Sequence, residues 1–89
     1  MSARPTLAEL LEALRKAGVF CAKRDPKGRA RLYRMWTSGN AVPVKREALE
    51  TWLLNNTEIP TPYVDRAVSA VLGSDLTGLP ILADKEVTP

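Results

Sequence analysis

"VFCAKRDPKGRARLYRMW", residues 19–36, is the stretch on which the fold class of this chain depends. Its centre, Asp25-Pro26-Lys27-Gly28, is typical of a tight turn. Proline presets φ at the second position of such a turn, and glycine accepts a positive φ near its end. The flanking segments 19–23 and 29–36 then predict the two strands of a β-hairpin.

A helix is the alternative structure for the second half of this stretch. Leu32 and Trp36 are four residues apart, which would place them on one side of a helix over residues 29–36. We favour the hairpin, and we expect "TSGN", residues 37–40, to end whichever element forms.

Three amphipathic segments around this stretch predict helices. The first runs from about Thr6 to Lys16, where Thr6 and Glu9 have capping-box spacing and leucines recur at helical intervals. The second covers residues 44–55, with Trp52 on its buried side. The third covers residues 61–72, with Thr61 as N-cap and Pro62 at the first helical position.

These elements predict a mainly α protein: a small single domain of three to four helices with a β-hairpin. We expect this domain to occupy residues 1–73. Residues 74–89 contain one short apolar run, "LPIL", among polar residues and prolines. They are expected to form a C-terminal arm, either loosely attached or a strand that pairs with another chain.

Composition limits the class of protein. The chain has 89 residues, of which 45% are hydrophobic and 26% charged, as in ordinary soluble globular domains. Its single cysteine, Cys21, has no partner for an internal disulfide, and charged residues interrupt the N-terminal apolar segment. No stretch approaches the ~20 apolar residues of a membrane span. We therefore expect a cytoplasmic protein with no membrane contact.

The sequence contains no histidine. Its absence removes the commonest general base, the Ser-His and Cys-His nucleophiles and imidazole-based zinc sites. We therefore predict that the protein is not an enzyme. We expect no catalytic residue, metal ligand, cofactor or small-molecule substrate.

The distribution of charge indicates an anion-binding surface. The net charge is only +3, but residues 15–46 hold ten basic side chains against Asp25 alone, a net +9. Residues 47–89 hold two basic side chains against seven acidic ones, a net −5. A basic middle region of this kind is typical of proteins that bind nucleic acid.

The segment "VKREALETWLLNNTEIPTPYVDRAV", residues 44–68, resembles the second half of small helix-turn-helix repressors of the Cro and lambda-repressor type. The resemblance covers about residues 42–72. It implies a recognition helix over 44–55 whose first turns contact base edges in the major groove. The DNA-contacting residues would then be Lys45, Arg46, Glu47 and Glu50.

A second resemblance places the contacts elsewhere. "VPVKREALETWL", residues 42–53, also looks like the wing-to-helix end of excisionases and other small winged-helix DNA architectural proteins. In that case the hairpin would be the wing. The DNA-contacting residues would then be Lys23, Arg24, Lys27, Arg29, Arg31 and Arg34.

Both resemblances imply double-stranded DNA as the partner. We expect a sequence-specific transcriptional regulator of phage or plasmid type, acting as a repressor and a homodimer, because one module contacts few base pairs. One alternative is a phage or plasmid protein that binds and inhibits a host protein. Another is an excisionase-like architectural factor.

Overall fold

The computed structural model describes residues 4–82, and residues 1–3 and 83–89 lie outside the described part. Six elements follow one another along the chain: α1 (Leu7–Ala17), β1 (Phe20–Arg24), β2 (Ala30–Met35), β3 (Ala41–Pro43), α2 (Arg46–Asn56) and α3 (Thr61–Leu72). The strands form one antiparallel sheet in the order β1-β2-β3.

Helix α1 begins and ends where its local signals predict. Thr6 accepts a hydrogen bond from the backbone N–H of Glu9, and the Glu9 carboxylate accepts one from the N–H of Thr6. This reciprocal pair satisfies two backbone donors that the first turn of a helix leaves open. Gly18 ends the helix at φ 77°, in the left-handed region that glycine adopts without strain.

The predicted hairpin is confirmed, and the alternative helix over residues 29–36 is wrong. Strands β1 and β2 pair with Ala22 opposite Leu32. Alternation then places Phe20, Ala22 and Leu32 in the hydrophobic core, while Lys23 and Arg31 face each other on the opposite side of the sheet.

The expectation of a mainly α fold was wrong. Residues 37–40 follow the end of β2, as expected, but the sheet continues beyond them. They form a second turn, in which Gly39 adopts φ 91° and leads into β3. Of residues 4–82, 43% are helical and 19% are in strands, so the structure is an α+β domain.

Helices α2 and α3 cover the core face of the sheet together with α1. Leu49 and Leu53 of α2 and Val68 of α3 are fully buried. Trp52 packs edge-on against Phe20, with ring centroids 5.1 Å apart, and so joins α2 to β1. Pro60, rather than the expected Thr61, is the N-cap of α3.

Residues 74–82, which follow α3, pack into the domain and do not form the expected arm, and residues 83–89 of that arm lie outside the described residues. Leu76 and Leu79 are buried in the core, with 2% and 5% of their surface exposed. The Ala22 N–H donates to the Pro80 carbonyl, and the Leu82 N–H donates to the Ala22 carbonyl, both at 2.8 Å. These bonds form a short parallel bridge between Ala22 and Ile81, so the segment pairs with β1 of the same chain.

No helix within residues 4–82 combines the length and the apolar character needed to cross a bilayer.

Replacing Leu79 by alanine tests whether the segment after α3 stabilises the domain. Removing a buried leucine side chain leaves a cavity, so we expect the free energy of unfolding to fall by about 2–4 kcal/mol in urea titrations. Ile81→Ala is the matched control, because Ile81 is 58% exposed, and it should change stability by no more than about 0.5 kcal/mol. Equal effects of the two substitutions would mean that Leu79 is not a core residue.

Candidate nucleic-acid interface

Asp25 organises the turn between β1 and β2. Its Oδ1 atom accepts hydrogen bonds from the backbone N–H groups of Lys27, at 2.9 Å, and Arg29, at 2.8 Å. The Gly28 N–H donates to the Asp25 carbonyl at 2.8 Å, and Gly28 has φ 85°. Side chain and backbone of one residue therefore hold the loop in a single shape.

The other carboxylate oxygen of Asp25 orients two arginines. Oδ2 lies 3.4 Å from Nε of Arg29 and 3.3 Å from Nε of Arg31. Both arginine side chains remain mostly exposed, at 67% and 57%. Their Nε groups face the carboxylate while most of each side chain stays open to solvent.

Five basic side chains lie in the same short segment as this single carboxylate. We call residues 23–31 the basic hairpin, which carries a net charge of +4 from Lys23, Arg24, Lys27, Arg29 and Arg31 against Asp25. The Lys23 ammonium lies 4.9 Å from the centroid of the Tyr33 ring. The Arg24 guanidinium donates to the Gly28 carbonyl at 2.8 Å. The Tyr33 ring and the Gly28 carbonyl, which carry no net charge, thus orient Lys23 and Arg24 without neutralising them.

Arg34 is apart from the other basic residues of the sheet. The strand register places it opposite Phe20 and Val42, on the core face. Its guanidinium carbon lies 4.7 Å from the centroid of Trp36 and 5.9 Å from that of Phe20. Arg34 is therefore packed against aromatic rings and does not belong to the basic hairpin.

Two of the residues expected to read bases from α2 instead connect α2 to α3. Arg46 donates to the backbone carbonyl of Asp65 at 3.0 Å and to Oγ of Ser69 at 2.9 Å, and it pairs with the Asp65 carboxylate. Its Nε atom also lies 3.6 Å from Oε2 of Glu50. The hydrogen bond that Arg46 donates to the Asp65 carboxylate raises the pKa of Arg46 above its ordinary value. Arg46 thus links the two helices, and Glu50 contacts the Arg46 guanidinium from within α2.

The other two residues of α2's first turn are more accessible. Lys45 and Glu47 are exposed, and they line the same groove as Arg34. The ten predicted contact residues therefore separate into three groups: five on the basic hairpin, three beside this groove, and two between the helices.

Trp36 and Val42 are exposed apolar residues that the sequence did not mark as functional. They are 50% and 44% exposed, and both line the groove beside Arg34. The signal available in the sequence was the alternation of Leu32, Arg34 and Trp36, which puts all three on one face of an extended strand. The exposure itself depends on β3, which sequence reasoning did not find.

No cluster of three or more potential metal-ligating side chains occurs within residues 4–82. Cys21 is buried on the outer face of the sheet, and its Sγ atom lies 3.7 Å from the Tyr33 carbonyl oxygen. Burial raises the pKa of the Cys21 thiol, so the nucleophilic thiolate is disfavoured.

Asp25 should make the hairpin sensitive to acid. The backbone N–H of Arg29, followed by that of Lys27 and the Arg31 side chain, lowers the pKa of Asp25 below its ordinary value of 3.8. A lowered pKa in the folded state means that the stabilisation is present above the unfolded-state pKa and is lost as pH falls through the folded-state pKa. Asp25→Asn should therefore have a lower Tm than the wild type at neutral pH, and the two should converge as pH falls from about 4 towards 2. A Tm difference that stays constant with pH would show that the carboxylate charge is not involved.

No family model, curated protein or solved structure matches this chain. Its function is therefore inferred from the charges, contacts and exposed surfaces of residues 4–82.

Proposed function

We propose that this protein is a cytoplasmic, sequence-specific regulator of transcription that binds double-stranded DNA through the basic hairpin. The observation that carries the proposal is the concentration of five basic side chains in residues 23–31 against one carboxylate that is already hydrogen-bonded. A surface with this excess of positive charge favours binding to the phosphate backbone.

The dimensions of an antiparallel hairpin suit DNA. The major groove of B-DNA is wide enough to admit a two-stranded β-ribbon. Arg29 and Arg31 are two residues apart on one chain, and an extended chain separates such residues by about 6.8 Å. That spacing matches the rise of two base-pair steps along the helix axis, about 6.8 Å. The two arginines therefore have the spacing to face base edges in the major groove, while Lys23, Arg24 and Lys27 contact phosphates.

The hairpin is a better contact element than α2. Arg46 and Glu50 are engaged with each other, and Arg46 also with α3, so using them on DNA would break contacts that hold the helices together. The element directly before α2 is the strand β3, not a helix. We therefore propose that α2 and α3 support the sheet while the hairpin contacts DNA.

A homodimer is part of the proposal. A single hairpin spans only a few base pairs, and two-fold pairing would double the contacts and the length of the recognised site. Repression would follow if the bound dimer blocks access to a promoter.

Inhibition of a host protein is a second candidate function. The observation that favours it is the exposed apolar pair Trp36 and Val42, since exposed apolar surface often marks a protein interface. In this function the basic hairpin would occupy a nucleic-acid-binding surface of the partner protein.

Salt dependence tests the DNA proposal. If Lys23, Arg24 and Lys27 neutralise three phosphates, the logarithm of the binding constant should fall with the logarithm of salt concentration with a slope of about −2.7. Lys23→Ala combined with Lys27→Ala should reduce that slope by nearly two. Lys16→Ala combined with Arg66→Ala is the matched control, because it removes the same charge from outside the hairpin and should leave the slope near that of the wild type. Absence of binding to any duplex at low salt would favour the protein-inhibitor function.

Binding-site selection on random duplexes separates the hairpin from α2 as the reader of sequence. Arg29→Ala and Arg31→Ala should change the preferred sequence, because a ribbon in the major groove places side chains against base edges. Lys45→Ala and Glu47→Ala should preserve it, and both residues are exposed, so these variants should fold normally. The opposite result would identify α2 as the recognition element.

A further inference from the structure

A groove lies between the end of the sheet and the start of α2, outside the basic hairpin. We call it the aromatic groove. Its volume is about 410 Å³, within the range of small-ligand sites. Its walls include Phe20, Trp36, Val42 and Trp52, with Arg34 and Lys45 as its basic residues.

The groove is open because no element among residues 4–82 covers the end of β2 at Met35. Trp36 follows β2 directly, and α2 begins only at Arg46, after β3 has ended. Within residues 4–82, Trp36 and Val42 therefore keep 50% and 44% of their surface exposed. Phe20 and Trp52, which pack against each other at 5.1 Å, form a rigid floor.

Arg34 has hydrogen-bonding capacity that its neighbours do not use. Its Nε atom is shielded from solvent, yet it has no hydrogen-bond partner among residues 4–82. The surroundings that hold the guanidinium are the rings of Trp36 and Phe20 rather than a carboxylate. Because Nε is shielded, an acceptor in the groove would approach the terminal amino groups of the same guanidinium, whose charge no carboxylate within residues 4–82 balances.

We propose that the aromatic groove binds one unpaired nucleobase of a DNA strand. The base stacks on Trp36, and its phosphate accepts hydrogen bonds from Arg34 and Lys45. This inference rests on the proposed DNA-binding function and specifies its substrate class as DNA in which duplex meets single strand. Stacking on an aromatic side chain accepts any base, because every base has a planar π face.

The charge of the groove favours a nucleotide over an apolar protein side chain. Arg34 and Lys45 contribute two positive charges against the one negative charge of Glu47, so the groove attracts an anion. A nucleotide supplies a planar ring and a negative phosphate in one unit, which matches an aromatic wall beside two cations.

The groove and the basic hairpin lie at opposite ends of one strand. Strand β2 runs for six residues, from Ala30 beside the hairpin turn to Met35 beside Trp36. Six extended residues span roughly 20 Å. At a rise of 3.4 Å per base pair, this distance corresponds to about six base pairs. A duplex held by the hairpin would therefore place an unpaired base in the groove about six base pairs away.

Three DNA molecules test the proposal by fluorescence titration. The first is a blunt 20-base-pair duplex, the second adds a single-stranded overhang of three nucleotides, and the third carries abasic sites in that overhang; overhangs at 3′ and 5′ ends are compared. Both tryptophans of the chain, Trp36 and Trp52, line the groove, so their emission reports its occupation. The overhang duplex should bind about tenfold more tightly than the blunt one and quench the emission, and the abasic overhang should lose both effects.

Variants connect these effects to the groove. Trp36→Ala should reduce overhang binding to the level of the blunt duplex, and Trp36→Phe should retain part of the preference because it keeps a ring. Arg34→Gln should also lower the preference for the overhang. Lys27→Ala is the matched control, since it should weaken binding to all three molecules by the same factor. Thermal unfolding of each variant, monitored by circular dichroism, checks that it is folded.

The failures of the two proposals are distinguishable. Tight binding to blunt duplex without preference for the overhang would overturn the base-binding inference and leave the DNA-binding function in place. No binding to any of the three molecules would overturn both. Quenching by a tryptophan-free acidic peptide that contains phenylalanine, with no quenching by overhang DNA, would identify the groove as a protein-docking site and overturn the inference.

Discussion

The register between β1 and β2 is the constraint on which the rest of the structure depends. The side-chain period of a strand is two residues, so a slip of one residue would exchange the two faces of the hairpin. With Ala22 opposite Leu32, the apolar side chains of both strands meet α1 and α2, and Lys23 and Arg31 face away from them. Asp25 stabilises this register. Its carboxylate accepts hydrogen bonds from the backbone N–H groups of Lys27 and Arg29 and so fixes the length of the loop between β1 and β2.

The same register explains why the basic residues of the sheet have different roles. Arg31 is at an outward position and reaches the turn, whereas Arg34, three residues later, is on the core face among aromatic rings. Because these two arginines are an odd number of positions apart on one strand, they lie on opposite faces of the sheet and have different surroundings. Arg46 has a third role, because its hydrogen bonds to Asp65 and Ser69 tie α2 to α3.

Features encoded by adjacent residues were predictable from the sequence. The Thr6–Glu9 capping box and the Asp25–Gly28 turn act over three or four residues, and both formed as expected. Strand β3 was not predictable in the same way, because it has three residues, one of them proline, and exists through its pairing with β2. The fold class was wrong for this reason: three-stranded sheets depend on contacts that local patterns do not contain.

The candidate site, like the fold, was predictable only where adjacent residues determine it. The excess of basic residues around the turn is visible in the sequence, because they are close together along the chain. The engagement of Arg46 with Asp65 depends on the angle between two helices, and nineteen positions separate the two residues. The aromatic groove depends on three elements at once, so neither Trp36 nor Val42 carried a local signal of its exposure.

The parallel bridge between Ala22 and Ile81 has a consequence for how the chain folds. The two residues are fifty-nine positions apart, so closing this loop costs more chain entropy than forming either hairpin. The helices and the antiparallel strands, which make shorter-range contacts, should therefore form first, and the segment around Ile81 should pair with β1 late. Until it docks, the outer edge of β1 presents unpaired backbone groups of the kind that join strands from separate molecules. Refolding at high protein concentration is therefore the condition under which this chain is most exposed to self-association.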